Sequence, residues 1–304
     1  MVLTRDADLR LRGAAFAFLD RQTDSGLTLV GQPNLVDFSF AGSPMRLMAP
    51  QQGIWKPRTL DAALSIRSVY TADPSKAPYE DEIGVDGFLR YKWRGLDPQH
   101  PDNKALRRAM QAGLPLIWFR GVAAAVYLPI YPVWLASEAP EAHQFVVALN
   151  EESWRLRDEL FLEDPSLVQS YAQRVVKTRL HQPLFRQRVL VAYANECSIC
   201  RLRHRRLLDA AHVLADSEGG APVVTNGIAM CKIHHAAYDA DIFGIDPNYR
   251  VGVRPDVLRE IDGPTLRHTL QEIDGSAIQL PTKASARPDR ELLDRRWQRF
   301  RRAS

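Results

Sequence analysis

The sequence predicts an α+β protein in two modules, a β-barrel and then a metal-braced C-terminal module. Three observations carry this. Up to about residue 140, short apolar segments alternate with Gly, Pro and Asp turns at a spacing suited to a barrel. Near Ala139 the texture changes to helical periodicity with charges interleaved. All three cysteines then fall within 35 positions, from Cys197 to Cys231.

Along the chain, Leu9, Leu11, Ala14, Phe16, Phe18 and Leu19 give residues 1 to about 25 a broad apolar face, so a helix is expected up to the turn Asp24-Ser25-Gly26. Strands are expected at Leu27–Val30, Val36–Phe40, Ala63–Val69, Leu89–Trp93, Leu116–Val122 and Ala125–Trp134, with one helix, Asn103–Ala112, among them. Gln144–Leu162 has apolar residues at helical spacing and reads as a connector. The expected boundaries are therefore 1–140 for the barrel, 141–185 for the connector and 186–304 for the last module. Its arginine-dense end, Arg290–Arg302, is amphipathic and is expected to pack as a final helix.

The net charge of +4 and pI near 9.0 permit nucleic-acid binding without demanding it. Distribution says more: Arg174–Arg206 holds nine Lys or Arg against one acid, Glu196. Such a run is either a solvated helix face or a phosphate-contacting one. No apolar run is long enough to span a membrane, and Met1–Arg12 is charged where a signal peptide would turn apolar. A soluble, cytoplasmic protein is expected.

In a reducing compartment, an odd cysteine count favours metal ligation over disulfides. Cys197-x-x-Cys200 and Cys231-x-x-His234 form two pairs, each able to grip one side of a tetrahedral ion. Four protein ligands leave no open position, so the zinc expected here is structural.

Between the pairs run Leu207-Leu-Asp-Ala-Ala-His-Val-Leu214, Asn226-Gly-Ile-Ala-Met-Cys231 and His234-His-Ala-Ala-Tyr-Asp239. This stretch, about residues 195 to 250, resembles the HNH nucleases of the ββα-metal fold: His212, Asn226 and His235 stand at intervals of 14 and 9. The resemblance implies His212 on the first hairpin strand as general base, its ring oriented by Asn226 at the start of the helix after the hairpin. It also implies that His235 binds a divalent cation, magnesium or manganese, on the scissile phosphate of DNA. The chemistry suits these residue types. Phosphodiester hydrolysis needs a base near neutral pKa and a cation to stabilise transition-state charge. Where many relatives carry a metal ligand just before the base, this chain has Ala211. The carboxylates at hand are Asp239, which shares a helix face with His235 at i, i+4, and Asp209; either could instead be a turn or supporting residue.

In the first module, Gly53-Ile-Trp-Lys-Pro57, Tyr79–Gly87, Tyr91-Lys-Trp93 and Pro115–Gly121 resemble the SRA-type, PUA-like barrels that read modified cytosine beside HNH modules. Base reading implies flipping the base into a pocket walled by aromatics and polar groups. Trp55, Tyr79, Asp81, Asp86, Tyr91 and Trp93 offer these, though barrel aromatics also serve as core and Asp86-Gly87 also suits a hairpin turn. The implied whole is a restriction endonuclease for modified double-stranded DNA in phage defence, leaving 5′-phosphate and 3′-hydroxyl ends. One site cuts one strand, so a double-strand break needs a homodimer or two binding events. The alternatives are an HNH nuclease acting on unmodified, phosphorothioated, branched or single-stranded DNA or on RNA, or a non-catalytic zinc-stabilised DNA-binding protein.

Overall fold

The computed structural model describes residues 2–23, 28–49, 51–69, 84, 86–159 and 165–303. The chain divides into two compact units, Met1–Pro183 and Leu184–Ser304.

The first unit opens with α1 (Arg5–Thr23). Its apolar stripe of Leu11, Ala15, Phe18 and Leu19 is buried with Phe38, Leu47, Leu64, Ile117 and Phe119. The same helix buries a charge. Arg12 Nε donates to Asp8 Oδ1 at 2.7 Å, Nη1 to the Pro115 carbonyl at 2.6 Å and Nη2 to the Ala63 carbonyl at 2.9 Å. Burial lowers the Arg12 pKa, and the Asp8 charge and hydrogen bond oppose that shift. The guanidinium thereby ties helix to sheet.

The strands are β1 (Val30–Gly31), β2 (Ser39–Phe40), β3 (Ser43–Pro44), β4 (Ile54–Trp55), β5 (Ser65–Ser68), β6 (Leu89–Lys92), β7 (Leu116–Ala123), β8 (Val126–Ala139) and β9 (Gln144–Ala148), with α2 (Pro101–Gln111) between β6 and β7. The main sheet runs β4-β5-β7-β8-β9-β6, with β1 added to β8. Only the β5–β7 ladder is parallel among those described.

Three expectations are corrected. The strand at Val36–Phe40 shrinks to Ser39–Phe40, because Pro33 starts a 3₁₀ turn over Gln32–Leu35. The helix expected from Gln144 begins instead at Glu151: Phe145, Val146, Val147 and Ala148 are buried in a strand between β8 and β6. A continuous apolar run of that length cannot be assigned by periodicity. Nor do the ladders close a barrel among the described residues, since β4 and β6 are the two ends of the path. A side chain spans that gap, Tyr91 Oη of β6 donating to the Gly53 carbonyl beside β4 at 2.8 Å. Helices α3 (Glu151–Glu159) and α4 (Pro165–Val176) complete this unit, which continues into the start of α5 (Gln182–Ala192).

The second unit holds the rest of α5, a hairpin of β10 (Leu208–His212) and β11 (Gly227–Cys231), and α6 (Lys232–Asp239). A second hairpin, β12 (Phe243–Ile245) with β13 (Val251–Val253), leads to α7 (Pro255–Arg259), α8 (Pro264–Leu266) and α9 (Arg290–Ala303). The β10–β11 register pairs Leu208 with Cys231 and His212 with Gly227. Gly227 is dictated by packing: a Cβ there would lie 2.3 Å from Val189 Cγ2 and 2.9 Å from Phe185 Cζ on α5. Gly252 likewise leaves room for Trp297 of α9, which a Cβ would meet at 2.6 Å. No helix among the described residues is long and apolar enough to cross a membrane.

Candidate active site

The site is built on β10, β11 and α6. Before the hairpin, the loop from Cys197 turns back on itself, with Cys197 N donating to the Leu202 carbonyl at 2.9 Å and Arg201 in the left-handed region at φ 64°. Ser198 N donates to the Ala229 carbonyl at 2.8 Å, which pins this loop to β11. Cys231 ends β11 and caps α6, so His234 follows within the first helical turn.

The ligating atoms of Cys197, Cys200, Cys231 and His234 all lie within 4.8 Å of one another. His234 is fully buried; its Nδ1 lies 3.1 Å from Cys231 Sγ and 3.5 Å from Cys197 Sγ. Its Nε2 lies 2.9 Å from the Thr269 carbonyl, which can only accept. The proton therefore sits on Nε2 and Nδ1 faces the sulfurs as a free donor atom. The hydrogen bond from Cys197 and the contacts of His234 hold the Cys231 thiol down at about 3, against the opposing effect of burial. Sharing that proton with Cys231, together with burial, pushes Cys197 up. Three sulfurs and one imidazole, crowded and competing for protons, could hold a metal ion, and they match the donor set that a tetrahedral zinc site uses.

His212 ends β10, half-buried, its ring stacked on Phe185 at 4.0 Å between centroids and 17° between planes. His235, one residue on from His234 and turned away from the sulfurs, reaches two carboxylates. Nδ1 is 3.4 Å from Asp209 Oδ2 and Nε2 is 3.3 Å from Asp239 Oδ2. Burial pulls the His235 pKa down, but the Asp209 hydrogen bond and both carboxylate charges outweigh it, so the net shift is upward. Asp209 shifts downward despite its burial, through His235, the Ala210 N–H and Arg186.

His212, His235 and Asp239 line one pocket of about 170 Å³ with Asp216, Arg296 and Arg299. Asp209 is not among its lining residues, which sets the two carboxylates apart. Ala211 is fully buried and offers no ligand atom.

Asn226 is placed differently from expectation. It ends a 3₁₀ turn, Val224–Asn226, before β11, not at the start of the helix after the hairpin. Its fully buried amide holds backbone: Oδ1 accepts from Leu214 N at 2.9 Å, and Nδ2 donates to the carbonyls of Leu214 and Ala221, each at 3.0 Å. Its own carbonyl accepts from Val213 N at 3.0 Å. Asn226 thus staples the loop that leaves His212, and its contacts are to that loop's backbone instead of the imidazole.

In the first unit, a pocket of about 260 Å³ opens between the strand ends, lined by Tyr91 and Trp93 with Gln51, Arg67, Lys92 and Arg94 among others. Trp55 is not part of it, and its indole N–H donates to the Arg46 carbonyl at 2.7 Å. Asp86 makes the turn, accepting from Phe88 N at 3.1 Å and pairing with Arg90 at 2.7 Å. Tyr79 and Asp81 lie outside the described residues.

Sequence reasoning missed the arginines of α9 at the pocket of His212, His235 and Asp239. Their signal was present as Arg296 and Arg299 at i, i+3 in a helix whose apolar stripe faces the core.

Comparison with known proteins adds two findings. A solved structure of a "Modification dependent TagI restriction endonuclease" is similar at 16% identity over 82% of this chain and 85% of that chain, with a TM-score of 0.31. No curated protein matches in sequence. The model of the HNH endonuclease family matches residues 197–246, a span that includes the Cys and His of the four-residue cluster, His212, Asn226 and His235. From its first cysteine through the second hairpin's opening strand, this segment is an HNH endonuclease domain.

Proposed function

We propose that the chain is a metal-dependent DNA endonuclease that restricts DNA bearing a modified cytosine, with an SRA/PUA-like reader ahead of the nuclease. The observation that carries the nuclease reading is the convergence of His212, His235 and Asp239 on one pocket beside a Cys₃His knuckle. His212 takes the proton from the attacking water, and its stacking on Phe185 restrains the ring in one plane. His235 and Asp239 hold magnesium or manganese, whose role when bound is to stabilise charge on the phosphate. Zinc at Cys197, Cys200, Cys231 and His234 is structural, since it has no ligand position to spare. In the reader, Tyr91 and Trp93 would wall a flipped base.

One observation favours a second reading, a nuclease whose target is not a modified cytosine. The described lining of the reader pocket carries Arg67, Lys92 and Arg94 and no carboxylate to accept from the cytosine amine. Both readings meet one experiment. Matched plasmids with and without cytosine methylation are incubated with the full chain in magnesium or manganese, alongside His212→Ala. Cutting of methylated plasmid alone supports the first reading, and equal cutting of both supports the second. Failure of wild type to cut any nucleic acid would leave a non-catalytic zinc-stabilised DNA-binding protein.

A further inference from the structure

Helix α9 lies outside the segment matched by the HNH family, yet it lines the pocket that holds His212, His235 and Asp239. Leu293 and Phe300 are buried and Trp297 lies over Gly252, so the helix is a packed part of the second unit. It brings two arginines to the pocket, and their surroundings differ.

Arg296 is the more enclosed of the two. It is buried, Nη1 lies 2.8 Å from Asp241 Oδ1, Nη2 donates to the Tyr238 carbonyl, and the guanidinium sits 4.7 Å over the Tyr238 ring. Arg299, almost one turn on, keeps 42% of its side chain exposed. Its ion pairs are long: 3.3 Å to Asp241 Oδ2 and 3.4 Å to Glu218 Oε1. Charge-assisted bonds settle nearer 2.8 Å, roughly, and exposed pairs of this length hold weakly. The guanidinium is thus aimed by Asp241, itself fixed through Arg296, and is open to a better anion.

We propose that Arg299 binds the phosphate to be hydrolysed, in the pocket that it lines together with His212, His235 and Asp239, so that a guanidinium fork adds to the charge a cation there would supply. This rests on the nuclease reading above. Arg295 and Arg302 are exposed at i−4 and i+3 from Arg299, on the same helix face. From Arg295 to Arg302 the helix rises about 10 Å, a length that covers about three phosphates of one strand. They extend the contact to the flanking backbone. Asp241 acts through Arg299 and is a positioning residue.

The test uses the full chain on a plasmid that wild type cuts in manganese, with Arg299→Ala, Arg299→Lys and Arg259→Ala, the last removing a cation outside the pocket. Arg299→Ala is expected to lower kcat roughly 100-fold and to raise KM by less than about tenfold, since the contact exists in bound DNA and strengthens in the transition state. Added guanidinium at millimolar concentration restores part of that loss. In binding to a duplex without catalytic metal, the slope of log K against log salt falls by about 1. Arg299→Lys keeps the salt slope but not kcat, because the fork is lost. Arg259→Ala behaves as wild type. Cutting by Arg299→Ala within about threefold of wild type, with an unchanged salt slope, overturns the proposal while leaving the nuclease reading intact. Loss of activity that tracks a fall in melting temperature and resists guanidinium rescue also overturns it, reducing Arg299 to a clamp on Glu218. If wild type cuts nothing, the nuclease reading fails, and the placement of a phosphate in a catalytic pocket fails with it.

Discussion

Replacing Asn226 with alanine separates a loop staple from a residue that touches the base. The buried amide makes three hydrogen bonds, with Leu214 N, the Leu214 carbonyl and the Ala221 carbonyl. Each contributes about 1 kcal/mol net, and a Leu214 N–H left unpaired in a dry interior adds about 1 kcal/mol or more. Asn226→Ala should therefore cost the second unit about 4 kcal/mol, roughly 16 °C in melting temperature for a domain of this size. If zinc is bound there, its release to a chromogenic chelator during heating reports on this unit, because Cys197 and Cys231 of the cluster are part of its core. Cleavage should also fall, since the freed loop begins at Val213, next to His212. The acidic limb of the pH–rate profile should stay in place, because the amide does not hydrogen-bond the imidazole. A stability loss under about 1 kcal/mol, or an acidic limb displaced by about one pH unit at unchanged stability, would refute the staple and return Asn226 to the ring.

The two carboxylates around His235 should separate in a metal titration. Asp239→Ala raises the manganese concentration for half-maximal cutting at least roughly tenfold, whereas Asp209→Ala, outside the pocket, shifts it less. The same pair has a pH signature in magnesium-free buffer. The Asp209 pKa is lowered, so its contribution is full above about 4 and lost as pH falls; that of His235 is raised, so its contribution is full below about 6.5 and lost as pH rises through the raised value. His235→Ala should then cost more stability at about pH 5.5 than at about pH 8.5 in urea unfolding; equal cost at both would show that the pair is not charged. In the first unit, Asp8→Ala orphans the buried Arg12 and should cost about 3 to 5 kcal/mol in calorimetry, most of it recovered in Asp8→Leu with Arg12→Met.

Motifs were more legible than architecture. Two C-x-x-[CH] pairs are local in sequence, and the hairpin between them, with the helix that follows it, brings the four side chains together. The sheet of the first unit depends on long-range pairing. That β9 is a strand is decided by β8 and β6 on either side, not by Phe145–Ala148. Trp55 and Asp86 fit a base pocket by residue type, but local hydrogen bonds to Arg46 and Phe88 engage them elsewhere. Arg12 lay unnoticed because an i, i+4 pair with Asp8 reads as surface decoration until the helix is packed. The arginines of α9 were visible as charge, but their distance along the chain from His212 hid their destination.

The adjacent histidines show how the knuckle serves the pocket. Consecutive helical residues point about 100° apart, so one turn of α6 can face two sites. His234 is fully buried among the sulfurs, while the His235 side chain keeps 23% exposure at the pocket. Because His234 and Cys231 tie the first turn of α6 to the loop from Cys197, they also set the position from which His235 reaches Asp239. The helix has only eight residues and cannot hold its shape alone in water. Its order must come from packing and from the cluster, which places the His235 imidazole one residue from the part of the helix that is most constrained.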